Sequence, residues 1–154
     1  MLLRSMLLRL LRTAARAAGA AAALGLLTPA HAAERLHVIE HALTDTVVDV
    51  GAKGDSVGDL LTFANPVFDA TNELQVGSDQ GYCVRVAVGK SWECFWTLLL
   101  RDGQITVEGP FYDHGDSLLA ITGGTGKYVG ARGSLALHAR DAKGSAYDFV
   151  YELL

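Results

Sequence analysis

The segment His37-Val38-Ile39-Glu40-His41 carries the residues best equipped for chemistry, and what they can do depends on the backbone beneath them. On a helix, H-x-x-E-H puts two histidines on one face for zinc and supplies a glutamate base, as in a metallopeptidase. Leu36, Ile39, Leu43 and Val47 permit that phasing. On a strand, Leu36, Val38, Glu40 and Ala42 share one face and His37, Ile39 and His41 the other. The histidines would then stand about 13 Å apart at 3.3 Å per residue, too far to share a metal. Glu40 would point into apolar surroundings, where a carboxylate resists ionisation and can act as acid, base or charge stabiliser. An edge glutamate in a misphased strand is the competing reading, and alternation alone leaves both open.

Two further clusters invite the same test. "ITGGTGKYVGARG" (Ile121 to Gly133) resembles a phosphate-binding loop, but Lys127 is followed by Tyr128 instead of Ser or Thr, and Val129 stands where G-x-G-x-x-G needs its last glycine. Those glycines suit tight connections between strands, with Lys127 in solvent. "FYDHGDS" gathers Asp113, His114 and Asp116, which a polar turn explains without a metal. No G-x-S-x-G or comparable frame supports a hydrolytic triad.

The elements that would position these groups begin after an export signal. Arg4, Arg9, Arg12 and Arg16 form a basic leader, Ala17 to Leu27 an apolar run too short to span a bilayer, and Ala30-His31-Ala32 an A-x-A cleavage site. Residues 1–32 are therefore read as a signal peptide and 33–154 as one secreted domain. The mature chain keeps 9 Lys and Arg against 17 Asp and Glu, a net charge of −8. That balance argues against nucleic acid and anionic membrane surfaces as partners, and no later segment is long and apolar enough to be a membrane span.

From Leu36 onward the pattern alternates with period two between Gly-rich turns. Eight strands are expected, near 35–43, 57–65, 80–88, 91–100, 104–111, 117–122, 131–140 and 145–153. Asp102-Gly103 suits a two-residue type I′ hairpin pairing Leu100 with Ile105 and Leu98 with Val107. Trp92, Cys94, Trp96, Leu98 and Leu100 then face inward beside Ile105, Val107 and Phe111. An even-numbered loop at Gly89-Lys90 adds Cys83, Arg85 and Ala87 to that face. Arg85 could there pair with Glu40 or anchor a ligand carboxylate, and a rim arginine reaching water is the plainer alternative. Cys83 and Cys94 become neighbours, as a disulfide or as two thiols in a wall. In "RDAKGSAY" a type I turn with Gly144 in the left-handed position aligns Leu135, Leu137 and Ala139 with Tyr147, Phe149 and Tyr151. Leu61, Phe63 and Asn65 share a face of the second strand.

"GDLLTFANPVFD", "GYCVRV" and above all "ITVEGPFYDHGDSLLAITGGTGKYVGARGSLAL" resemble the allene oxide cyclase family, whose barrel is shared with dirigent proteins. The resemblance runs from about Leu36 to the C-terminus. It implies an all-β fold, a single eight-stranded antiparallel barrel, usually trimeric and needing no metal or organic cofactor; the outward position of Val150 leaves room for a trimer interface. It implies a small hydrophobic ligand or reactive intermediate, held in one conformer by a shaped cavity, as an isomerase (intramolecular cyclase) does. A secreted carrier using the same cavity without chemistry is the alternative. Glu40 falls where the cyclases have their cavity glutamate, Asn65 where an asparagine helps hold a water, and Phe63, Cys83, Trp92 and Phe111 at wall positions. The chain departs from the cyclases at Ala42, where they have a second asparagine, and lacks their following Ser-Pro. Arg132 occupies the place of a dirigent arginine but points outward in the register above.

Overall fold

The computed structural model describes residues 33–154; the expected signal peptide, residues 1–32, lies outside them. The described chain contains nine strands: β1 Glu34–His41, β2 Thr46–Val48, β3 Leu60–Asp69, β4 Gln75–Ala87, β5 Ser91–Leu100, β6 Gly103–Tyr112, β7 Ser117–Gly126, β8 Gly133–Ala139 and β9 Ala146–Leu153. Each strand from β3 to β9 pairs antiparallel with the next, and β1 pairs with both β9 and β3, which closes an eight-stranded barrel. The short β2 extends the free part of the β3 edge. No helix among the described residues is long and apolar enough to cross a membrane.

β2 was invisible in the sequence because its three residues are all exposed and too few to show a period. The second predicted strand runs four residues further, through Pro66. β3 pairs with β2 at residues 60–62 and with β1 at 67–69. Pro66, with no N–H to offer, falls in the unpaired stretch between them. β4 begins five residues earlier than expected, because Gly77-Ser78-Asp79 resembles a turn in composition. Gly77 is instead a strand glycine, where a Cβ would collide with the Leu99 carbonyl oxygen of β5.

The β5–β6 hairpin also differs from expectation. Leu100 pairs with Gly103 and Leu98 with Ile105, so the loop residues are Arg101 and Asp102. A type I′ turn needs positive φ at both loop residues, and Asn72 is the only non-glycine with positive φ among the described residues. Gly103 is required for another reason: a Cβ on it would strike the Thr125 carbonyl oxygen of β7. The expected register was off by two residues, and an error of two leaves every side chain on its face. The inward set of Trp96, Leu98, Ile105 and Val107 is accordingly buried. The loop before β5 has three residues, yet a bulge between Arg85 and Ala87 restores the parity that places Cys83 and Arg85 inside.

The final hairpin follows the predicted register, with Leu137 opposite Phe149, Ala139 opposite Tyr147 and Gly144 at φ 64°. The glycines of "ITGGTGKYVGARG" divide: Gly123, Gly124 and Gly126 belong to β7, facing Thr106, Ile105 and Gly103, and Gly130 turns the chain toward β8. Lys127 is half exposed, but its Nζ donates to Glu34 Oε1 at 2.5 Å and so ties this turn to the start of β1.

Cys83 and Cys94 stand directly opposite each other on β4 and β5 and form a disulfide. Closing a loop with a sequence separation of 11 residues is worth about 3 kcal/mol in loop entropy. Replacing both cysteines with alanine is expected to lower the unfolding free energy by about that amount, read by urea unfolding.

Candidate functional site

β1 is a strand, so the five residues of the H-x-x-E-H pattern diverge. His37 and His41 lie on the outer face, where His37 Nε2 meets Asp148 Oδ1 at 2.8 Å and His41 Nε2 meets Asn72 Oδ1 at 2.7 Å. His41 also stacks on Phe68, centroids 4.3 Å apart. The helical phasing that a zinc site would need is absent, and the two histidines serve the barrel exterior. Glu40 takes the inner face, 5% exposed.

Glu40 is held by its neighbour across the barrel seam. Asn65 Nδ2 donates to Glu40 Oε1 at 2.7 Å and to Asp45 Oδ1 at 2.8 Å. Asn65 Oδ1 accepts from the backbone N–H groups of Leu43 and Thr44 and from the Thr44 hydroxyl. One buried amide therefore pins the chain between β1 and β2 across the unpaired stretch of β3 and fixes two carboxylates. Burial pushes the Glu40 carboxyl up to about 7; the Asn65 hydrogen bond opposes that shift and the Asp45 charge adds to it.

In front of Glu40 lies a cavity of about 40 Å³. Its walls are Phe63, Cys83, Cys94, Trp96, Phe111 and Phe149, with Asp45 and Tyr147 beside Glu40. Phe63 packs edge-on to Trp96, and Trp96 lies 5.4 Å from Phe149, which makes one side a continuous aromatic surface. Phe111, Leu137 and Tyr147 also line a wider outer cleft of about 530 Å³ between the 112–115 turn and the 141–144 loop. The edge-to-face pair of Phe111 and Tyr147, centroids 5.9 Å apart, thus separates the cavity from the cleft. Burial, with the Glu40 and Asp45 charges, pushes the Tyr147 phenol up to about 12, so it stands as a hydroxyl donor.

The structure brings Glu40, Phe63, Cys83 and Phe111 together at this cavity, with Asn65 behind Glu40. It places Arg85 and Trp92 elsewhere. Arg85 is 7% exposed, donates through Nε to Asp55 and through a terminal nitrogen to both oxygens of Asp113, and lies 3.9 Å over the Trp92 ring. Two carboxylates satisfy it, so it neither pairs with Glu40 nor reaches for solvent, and it clamps the 49–59 loop to the 113 turn. Two other polar residues of that turn have local roles: Asp116 meets His138 Nδ1 at 2.6 Å and Ser117 Oγ accepts from the Tyr112 N–H.

Sequence reasoning missed two acids. Asp45 lies in a loop, where no periodicity could assign it a face. Asp79 is 1% exposed on β4, directly opposite Asn65. Its parity with Gly81, Cys83 and Arg85 was readable once β4 is extended past Gln80. Burial first, and the Glu40 charge next, push the Asp79 carboxyl up to about 9.

A closed barrel with this seam and cavity can be placed among known proteins. Residues 40–141, about two thirds of the chain, match the family model described as allene oxide cyclase. The chain belongs to the allene oxide cyclase family. Among solved structures, similar folds include a pyocyanin demethylase (TM-score 0.65, 24% identity, 77% of this chain and 100% of that one). A pterocarpan synthase dirigent protein is similar at TM-score 0.64 and 16% identity, over 86% of this chain and 96% of that one. An exo-specific intermolecular Diels-Alderase is similar at TM-score 0.62 and 17% identity, over 79% and 98%. At these identities the likeness is one of fold, and allene oxide cyclase family barrels share it with catalysts of differing reactions.

Proposed function

We propose that this allene oxide cyclase family barrel is exported, binds a small hydrophobic molecule in the cavity between Glu40 and the Phe63, Trp96, Phe149 wall, and directs its cyclisation or isomerisation. The observation that carries this reading is a buried carboxylate, fixed by Asn65, at the wall of an aromatic-lined cavity. Aromatic walls select flat apolar molecules, and a fixed acceptor orients one polar edge. A cavity of this kind accelerates reaction chiefly by holding one conformer, and a pre-positioned acid or base adds to that. The similar folds of a dirigent protein and a Diels-Alderase support a role in steering reactive molecules.

At about 40 Å³ the cavity holds little more than solvent, so a ligand must swing Phe111 and Tyr147 outward and join the cavity to the outer cleft. Naphthalene is a suitable neutral probe, with tryptophan fluorescence reporting through Trp96. Saturable quenching is expected from the wild type, and its loss from a Leu137→Trp variant whose larger side chain fills the cavity. Wild type and variant quenched alike would place the ligand elsewhere and remove the reading. Once a substrate is identified, Glu40→Gln should lower turnover at least a hundredfold while leaving affinity for a neutral ligand nearly intact. Unchanged turnover would take Glu40 out of the mechanism, and a ligand bound without any turnover by the wild type would leave a carrier.

A further inference from the structure

Both oxygens of Asp79 lack a hydrogen-bond partner, the only buried carboxylate among the described residues of which this is true. Trp96 Nε1 and the Tyr151 hydroxyl, equally buried, are also unpartnered. An anion sealed 99% away from solvent with no donor would cost several kcal/mol. Asp79 faces Asn65 across β3 and β4, but Asn65 has spent both side-chain amide hydrogens on Glu40 and Asp45, which leaves only its backbone N–H to oppose the rise of the Asp79 carboxyl. Asp79 and Glu40 instead flank Asn65 on the inner face, Asp79 directly opposite it and Glu40 accepting from its Nδ2, and the Glu40 charge helps to raise the Asp79 carboxyl.

Two ionised carboxylates in contact are both acceptors and cannot bond. At about 4 Å and an effective dielectric near 20 they repel by about 4 kcal/mol. One shared proton removes the repulsion and turns the contact into an O–H···O⁻ bond, which satisfies both groups. The other groups facing this pair reinforce the need: Asp45 from the β1–β2 connection adds negative charge, and Tyr147 and Tyr151 from β9 are neutral phenols. No cation is among the influences on either acid. The pair is also asymmetric, since Glu40 lines the cavity and Asp79 does not.

We propose that Glu40 and Asp79 share one proton as an acid–base pair, and that the barrel isomerises a small β,γ-unsaturated carbonyl compound to its conjugated isomer by moving a proton between two of its carbons. The proposal deepens the ligand-binding reading above and rests on it. Glu40, as the carboxylate at the cavity wall, takes a proton from the carbon next to the carbonyl. The C–H electron pair moves into the conjugated system and onto the carbonyl oxygen, to which the Tyr147 hydroxyl can donate. Glu40 then returns the same proton to the far carbon of the conjugated unit as the electrons flow back. One C–H bond breaks and one forms, and nothing is oxidised or reduced. During the transfer the pair holds two protons and is neutral, the form that burial favours. Glu40 is the catalytic residue here, and Asp79 is a positioning residue that sets how readily Glu40 takes and gives up the proton.

Two measurements on the full-length protein test this. Carbon-13 NMR of labelled Asp and Glu carboxyls reads the pair without any ligand: one carboxyl proton should persist at pH 7, and Asp79→Asn, which removes the O–H donor that holds Glu40 down, should shift the titration of Glu40 upward. Two carboxyls that both ionise below about pH 5, as ordinary acids do, would overturn the proposal. The second measurement follows 3-cyclohexenone in deuterated buffer by proton NMR. Wild type should convert it to 2-cyclohexenone faster than buffer, at least a hundredfold faster than Glu40→Gln, and Asp79→Asn should move the acidic limb of the pH–rate profile to higher pH. Naphthalene binding without acceleration of cyclohexenone would overturn proton transfer and leave the ligand-binding reading standing. A shared proton with no binding of either molecule would overturn the ligand reading and this proposal with it. Asp79→Glu should restore the profile if position and proton matter, and an unfolded Asp79→Asn variant is recognised by circular dichroism, in which case the wild-type titration decides alone.

Discussion

Replacing Asn65 with leucine is expected to destabilise the barrel by about 4 kcal/mol, measured as the fall in unfolding free energy in urea. Leucine matches asparagine roughly in size, so little of the loss would come from a cavity. The cost comes from stranded partners. Glu40 and Asp45 would each lose their donor from Asn65, and the Leu43 and Thr44 N–H groups would lose an acceptor. Hydrogen bonds to charged groups contribute about 1.5–3 kcal/mol each, and a buried group left unpaired costs about 1–3. Simple addition overshoots, because the loosened 42–45 segment can move its groups to water. A change below about 1 kcal/mol would mean that the seam between β1 and β3 holds without its asparagine.

The second large effect is on pH. Glu40 and Asp79 are raised to about 7 and about 9 in the folded state, against about 4 in an unfolded chain. Between these values the folded state binds more protons than the unfolded state, so unfolding free energy falls as pH rises. The stability contributed by the protonated pair is complete below pH 4, and it is lost as pH climbs through 7 and then 9. One pKa unit corresponds to about 1.4 kcal/mol, so the loss between pH 5 and pH 9 should amount to several kcal/mol. Asp79→Asn, which cannot ionise, should flatten that fall and make the variant more stable than wild type at pH 9. Parallel stability curves for the two proteins would show that Asp79 ionises normally. Tyr147, raised to about 12, stays protonated throughout this window.

Which residues share the inner face was legible in the sequence because a period of two survives errors of two. The β5–β6 hairpin was misregistered by two residues and still placed Trp96 and Val107 correctly. The β4–β5 loop has an odd length, and the bulge after Arg85 cancelled the slip. What alternation cannot supply is height along the barrel. Arg85 and Glu40 share the inside, yet Arg85 is spent on Asp55 and Asp113 beside Trp92, away from the cavity. Asp79 escaped notice because glycine and serine before it imitate a turn, although both lie in β4, where Gly77 permits close strand approach. Asp45 had no signal at all, since its position follows from the Asn65 hydrogen bonds and not from a pattern.

Arg85 and the disulfide fix the frame around the site from two directions. The bridge joins β4 and β5 where the wall of the cavity passes from Cys83 to Cys94. Arg85 anchors the long 49–59 connection, whose other support is Asp59, a carboxylate accepting from Val50 and Ser56 backbone N–H groups. With the frame held in this way, Phe111 and Tyr147 at the boundary of the outer cleft are the residues with space to move.

The central claim is that the cavity beside Glu40 takes up a small apolar molecule. Native mass spectrometry of the protein purified from its natural host tests it most directly. The account predicts a retained adduct of one small, largely apolar compound per chain, absent from a Leu137→Trp variant prepared in the same way. Protein that emerges empty, and that captures neither naphthalene nor cyclohexenone when they are supplied, would mean that side chains fill the barrel and that its role is structural.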